Sequence, residues 1–276
     1  MLQSVNRVSG DSDPAIRLEG GDIGLVLLHG LGGTPRELRF VAQRAHDDTR
    51  ATVFCPVLPG HCAGYAELQA VTWPEWARAA QNAVDDLSKT CRRVFVGGLS
   101  MGAVLALHLA LTRREAVHGL VLLAPTFRLS GFTIPVHAHL FNLIQHKWIA
   151  NLFDFPDLPP HGIKNDEIRR EMMAAMAGPD TTAAGNLVTP GGAFWEHLQL
   201  MKAVRGRLHE ITQPALIVHP RRDDVAHVRT AFRLAQRLGG PVTLRILENS
   251  YHVITLDQQR DEVGQEMAAF MRRHDR

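Results

Sequence analysis

Residues 92–112 read RRVFVGGLSMGAVLALHLALT. Val94, Phe95 and Val96 make a short β-branched and aromatic run suited to a buried strand. From Met101 to Leu111 the residues are good helix formers with no proline among them. Between the two lies Gly98-Leu99-Ser100-Met101-Gly102, a G-x-S-x-G turn with a further glycine at Gly97. A strand that reverses into a helix over so few residues forces one position into a strained conformation and crowds strand against helix. Glycines on either side remove the Cβ atoms that would collide there. The strained residue then stands proud of the sheet with its hydroxyl exposed, and Ser100 is that residue. The plainer alternative is a tight turn in which Ser100 only caps the helix.

Outward from this turn, strand-like and helix-like stretches alternate. Residues 24–28 are a continuous apolar run, as expected of a strand covered on both faces. They end in His29-Gly30-Leu31-Gly32-Gly33-Thr34-Pro35, where Thr34 suits an N-cap and Pro35 a first helical position, so a helix is expected to about His46. The glycines let the backbone of that loop approach a ligand closely. An edge strand is expected at 16–18, further strands at 52–55 and 118–123, and a helix over 72–90. This alternation predicts an α/β fold with a mostly parallel, doubly wound sheet.

The alternation stops between Phe127 and Pro190, where no strand is expected and helices are predicted at 136–153 and 166–177. Such an insertion at the carboxyl ends of the strands predicts a helical cap over a site. The predicted division is therefore core 1–127, cap 128–190 and core 191–276. Large apolar groups in the first cap helix, among them Phe141 and Trp148, either pack the cap down or line an acyl pocket. The core resumes with a helix near 193–208, strands at 215–218 and 242–247, a helix at 225–238 and a closing helix from about 257 to 273.

Composition narrows the function classes. A chain of 276 residues with 45% hydrophobic content can bury a sizeable core as one α/β domain. The near-balance of 30 Lys+Arg against 28 Asp+Glu, without a long basic run, argues against nucleic acid as a partner. Three cysteines, Cys55, Cys62 and Cys91, have no C-x-x-C spacing and point to reduced thiols in the cytoplasm. No secretory h-region or membrane-length apolar run is apparent. No metal set or nucleotide fingerprint appears either, so no cofactor is expected.

A serine hydroxyl is a weak nucleophile at neutral pH, and it needs a base in reach and a third group to orient that base. Ser100 follows one strand, Asp223 or Asp224 another, and His252 the last, so all emerge at one edge of the sheet. Of the 15 histidines, His29 and His61 also lie in loops near that edge. His252 alone combines a loop after a strand with a position after the acid. Asp223 is preferred to Asp224, which is well placed to cap the next helix.

VLLHGLGGTP, LPGH, GGLSMG, the RRDD loop and NSYHVITLDQ together resemble the α/β-hydrolase superfamily, above all its bacterial carboxylesterase and monoacylglycerol lipase branch. The resemblance covers nearly everything after residue 20 and is weakest in the cap. It implies a Ser100, Asp223, His252 triad, an oxyanion hole made by the backbone N–H groups of Leu31 and Met101, and an ester substrate with an acyl chain. An amide, thioester or C–C bond is the alternative substrate for the same triad, and a non-catalytic binding protein the alternative from another class. One departure stands out: the family usually has glycine before the histidine, where this chain has Tyr251. An aromatic side chain there is expected either to narrow the substrate pocket or to shift the histidine loop.

Overall fold

The computed structural model describes residues 14–134, 136–176 and 188–275. In chain order, β1 (Ile16–Leu18) and β2 (Ile23–Leu28) precede a 3-10 turn (Pro35–Leu38) that continues into α1 (Arg39–Thr49). Then come β3 (Thr52–Cys55), α2 (Tyr65–Ala70), α3 (Trp73–Leu87), β4 (Arg93–Leu99), α4 (Met101–Thr112) and β5 (Gly119–Leu123). The segment after β5 holds a 3-10 stretch (Val136–Leu143), α5 (Lys147–Ala150), β6 (Asp154–Pro156), α6 (Asp166–Met176) and β7 (Val188–Pro190). The core closes with α7 (Gly191–Arg205), β8 (Ala215–Pro220), α8 (Arg229–Arg237), β9 (Val242–Leu247) and α9 (Arg260–His274).

Seven strands form one sheet in the order β1-β3-β2-β4-β5-β8-β9. Only the edge strand β1 runs antiparallel, pairing with β3; all other pairs are parallel. The apolar runs of the central strands are explained by what covers them. Val26, Leu28, Leu120, Leu122 and Ile217 face the layer of α3, α4 and α7. Their neighbours Leu25, Leu27, Val121, Leu123 and Val218 face the layer of α1 and α9. A strand buried on both faces has no polar alternate positions, so it reads as unbroken hydrophobicity. Helix α4 is likewise buried nearly all round, which is why its sequence shows no polar stripe.

From β2 the chain steps outward to β3, then returns to lay β4 on the other side of β2. The loops leaving β2 and β4 therefore diverge at a topological switch point, the place where open α/β sheets form crevices at their carboxyl edge.

The region between β5 and α7 departs from expectation. The single helix expected over 136–153 is instead a 3-10 stretch, a turn, and the one-turn α5. Its carbonyls and side chains are spent on the core: the Trp195 Nε1–H donates to Ile144 O at 3.0 Å, and Lys147 Nζ donates to Val71 O at 2.6 Å. A strand pair is also present where none was expected, β6 with β7 in antiparallel register, Phe155 opposite Thr189. Three-residue strands are too short to show a period-two pattern. The end of the second cap helix, expected at residue 177, lies outside the described residues.

Candidate active site

Ser100 sits between β4 and α4 with φ +55° and ψ −109°. That conformation is costly for a side-chain-bearing residue, and the surroundings impose it. A Cβ at Gly98 or Gly102 would collide with the Leu28 carbonyl, so glycine at both positions lets β2, β4 and α4 close together. The Ser100 N–H donates to Leu123 O at 2.9 Å, which pins the turn to β5. Ser100 Oγ lies 3.1 Å from Thr126 Oγ1, while the Thr126 hydroxyl donates to Ala124 O at 3.2 Å. With the threonine proton so used, the serine is the donor of the pair.

His252 lies in the loop after β9, and Asp223 in the loop after β8. Nδ1 of His252 is 3.0 and 2.9 Å from the two carboxylate oxygens of Asp223, so it carries the proton and donates it. Asp223 Oδ1 also accepts the N–H groups of Val225 and Ala226, at 2.8 and 2.7 Å. On the other oxygen, buried His219 approaches through Nε2 at 3.3 Å. Burial alone would raise the Asp223 pKa, but the charge and hydrogen bond of His252, with His219 and the amides, hold it below the usual value. Burial likewise opposes a charged His252, yet Asp223, then Asp224 and Glu37, raise that ring's pKa. His252 Nε2 is buried without a partner among the described residues.

Asp224 does not cap a helix as expected, because α8 starts only at Arg229. Its carboxylate instead accepts the His252 N–H at 3.1 Å and the Gly162 N–H at 2.9 Å, joining the histidine loop to the cap. Asp257 works in the same way: Oδ2 accepts the N–H groups of Tyr251 and Lys164, at 2.7 and 2.9 Å. Neither Asp257 nor His219 carried a sequence signal that separates it from ordinary buried polar residues.

The first glycine-rich loop is held as firmly. The carbonyl of Gly30 accepts the Gly33 N–H at 3.2 Å and the Nδ1–H of His29 at 3.0 Å. In a trans peptide the N–H points opposite the C=O, so the Leu31 N–H is directed away from those partners. The Met101 N–H is the first of α4 and has no acceptor within the helix. His29 Nε2 accepts the Leu58 N–H at 3.1 Å, and burial, with nearby His61, keeps the ring neutral. His61 packs edge-on against it, with centroids 4.6 Å apart, and burial lowers its pKa to about 4. Neither of these two histidines lines the cleft, whereas His252 does.

That cleft, about 2020 Å³, brings Leu31, Ser100, Thr126 and His252 together under the cap. Phe141, Ile144, Phe155 and Phe194 supply apolar wall. Phe141 also packs edge-on against Phe155, with centroids 4.9 Å apart, so it both fastens the cap and lines the cleft. Two expectations fail. Trp148 is 67% exposed on the outside of the cap, turned out by the one-turn helix that replaces a longer one. Tyr251 lies outside the cleft lining, with its N–H on Asp257, its ring against Phe132 and the Lys164 ammonium above it. Among the described residues no group of three or more His, Cys, Asp or Glu could hold a metal ion, and no helix is long and apolar enough to cross a membrane.

The chain is similar in sequence and fold to known lipolytic enzymes. The chain is 26% identical over 260 residues to a thermostable monoacylglycerol lipase of Bacillus sp. (strain H-257), covering 93% of each. It is 25% identical over 259 residues to a carboxylesterase of Bacillus subtilis (strain 168), covering 93% of this chain and 95% of that one. A solved structure from work on LipS and LipT, two metagenome-derived lipolytic enzymes, superposes with a TM-score of 0.76 at 27% identity. That match covers 97% of this chain and all of the other. The family model for the alpha/beta hydrolase family matches residues 25–266, and the chain belongs to that family.

Proposed function

We propose that the protein is a serine hydrolase of carboxylic esters, with Ser100 as nucleophile, His252 as base and Asp223 as its orienting acid. The observation that carries this reading is His252, bonded to Asp223 behind it, sharing an apolar-walled cleft with a serine held in a strained turn. The names of the two Bacillus relatives support esters, monoacylglycerols among them, as substrates. Residues 128–190 act as the cap over the acyl chain. Among the described residues Cys55, Cys62 and Cys91 are not joined in a disulfide, which is in keeping with a cytoplasmic location.

The reaction follows from the hydrogen bonds. Ser100 Oγ first leaves Thr126 and turns to Nε2 of His252, the unpartnered acceptor. As Oγ attacks the ester carbonyl carbon, Nε2 takes its proton; Asp223 holds the Nδ1–H tautomer and stabilises the imidazolium. Negative charge moves to the former carbonyl oxygen, where the N–H groups of Leu31 and Met101 receive it. The intermediate collapses, the C–O bond to the alcohol breaks, and His252 returns the proton to the leaving oxygen. Water then attacks the acyl-enzyme by the same path and frees Ser100.

A fluorophosphonate probe together with a series of chromogenic esters tests this. The expected result is covalent labelling at Ser100 and ester turnover, with Ser100→Ala losing on the order of 10⁴-fold or more in turnover while remaining folded. A folded wild type that neither labels nor turns over esters would identify a binding protein instead.

A further inference from the structure

One buried carboxyl in the cleft has no part in the triad. Glu37 lies at the end of Thr34-Pro35-Arg36-Glu37, a T-x-x-E spacing that ordinarily makes a capping box, with the carboxylate on the N–H of the threonine. Here it reaches further back. Glu37 Oε1 accepts the Gly30 N–H at 2.5 Å, closing residues 30–37 into a ring. Oε2 lies directly over Gly33, where any Cβ would collide with the carboxylate. Glu37 also lines the cleft alongside Leu31, Ser100 and His252.

The consequence follows from peptide geometry. Gly30 is gripped at both ends: Glu37 holds its N–H, and His29 with the Gly33 amide holds its C=O. The direction of the next N–H, that of Leu31, is set by the plane whose oxygen is so held. If Gly30 were free to rotate, the Leu31 donor would wander in a loop containing three glycines. We propose that Glu37 is a positioning residue: its carboxyl oxygen is the fixed acceptor for the Gly30 N–H, and by fixing Gly30 on that side while His29 and Gly33 hold its C=O it stops the residue rotating and so keeps the Leu31 N–H aimed at the reacting carbonyl oxygen.

This inference rests on the ester-hydrolase reading for its kinetic consequence, though the clasp itself is a statement about the loop. It requires an acceptor atom and no charge. Burial pushes the Glu37 pKa up to about 7, against the opposing pull of the Gly30 amide and of His252, so a neutral carboxyl still holding Gly30 is an ordinary state near neutrality. A neutral group beside the site of a developing oxyanion also avoids repelling it.

The decisive comparison is Glu37→Gln, which keeps the acceptor, against Glu37→Leu, which keeps the bulk without it. Glu37→Ala is the substitute should the leucine variant not fold. Two quantities are measured on each: kcat and KM for a p-nitrophenyl ester, and amide hydrogen exchange of the peptide covering residues 25–38. For Leu the expected result is kcat lower on the order of 10²-fold with KM nearly unchanged, the size of effect a misplaced catalytic group produces. Exchange in the loop should accelerate at least tenfold. Gln should recover most of both losses. Wild-type loop protection in the leucine or alanine variant overturns the proposal, as does a glutamine variant that falls as far as leucine. Should the wild type hydrolyse no ester, the functional reading fails, while the exchange arm still decides whether Glu37 clasps the loop.

Discussion

The carboxyl edge of the sheet and the cap above it are built on opposite rules. At the edge, Ser100, Asp223 and His252 each follow a strand of the seven-stranded sheet, and their loops are secured by several hydrogen bonds. The Asp223 carboxylate alone receives donors from His252, Val225 and Ala226. In the cap, one-turn and 3-10 segments are tied to the core by scattered contacts such as Trp195 to Ile144 O. Among the described residues seven of its large apolar side chains are exposed, Leu143, Leu152 and Trp148 most of all. Rigid strands hold atoms to the tolerance that proton transfer demands, whereas a wall for an acyl chain needs apolar area and little directional precision. The two carboxylates of the Asp223-Asp224 pair show the division within one dipeptide. The first serves the histidine ring; the second ties the histidine backbone to the cap.

Substituting these neighbours puts that division under the greatest strain. Asp223→Asn is expected to lower kcat on the order of 10⁴-fold, because an amide cannot hold the Nδ1–H tautomer or stabilise the imidazolium. Asp224→Asn should cost far less, about tenfold, with a lower melting temperature as the Gly162 and His252 amides lose a charged acceptor. Reversed losses would mean that Asp224 orients the ring and that edge and cap are not separable.

The pH profile comes next. His252 must be neutral to act as base, and its pKa is raised by Asp223 and then Asp224 against the effect of burial. Activity should therefore fall about tenfold per pH unit below an apparent pKa above the ordinary 6.5. Stability has the opposite sign: the contribution of the charged ring is complete below the unfolded value and is lost as pH rises through the folded one. A kcat/KM profile with its midpoint below 6.5 would contradict the pairing.

In the cap, Phe141→Ala should change substrate preference before it changes chemistry. Each methylene that a pocket gains or loses is worth about 1–3 kcal/mol, so the kcat/KM ratio between long and short acyl esters should shift about tenfold or more. A uniform loss over the series would make Phe141 a packing residue only. The smallest effect is expected for Trp148→Ala. With two-thirds of its surface exposed, the substitution should alter stability by less than about 0.5 kcal/mol and leave soluble-ester kinetics unchanged. A large loss in kcat would return Trp148 to the cleft wall.

The elements legible in sequence were those whose pattern is local. The runs Leu25–Leu28 and Leu120–Leu123 announce buried strands because neither face meets water, and Gly98-x-Ser100-x-Gly102 announces a crowded turn because only glycine fits beside Leu28 O. Positions after strands brought Ser100, Asp223 or Asp224, and His252 to one edge of the sheet, and the family resemblance implied the triad of Ser100, Asp223 and His252. What lay out of reach depended on partners distant along the chain. Tyr251 looked like a pocket residue until its N–H was found on Asp257 and its ring on Phe132. Asp224 looked like a helix cap, and its real partners, Gly162 and the His252 amide, are 62 and 28 residues away. Glu37 carried a capping-box spacing yet bonds across the loop to Gly30. Periodicity and steric crowding are properties of neighbouring residues and are written in the chain. The choice of acceptor for a buried donor is made only when the whole fold brings the candidates within 3 Å of one another.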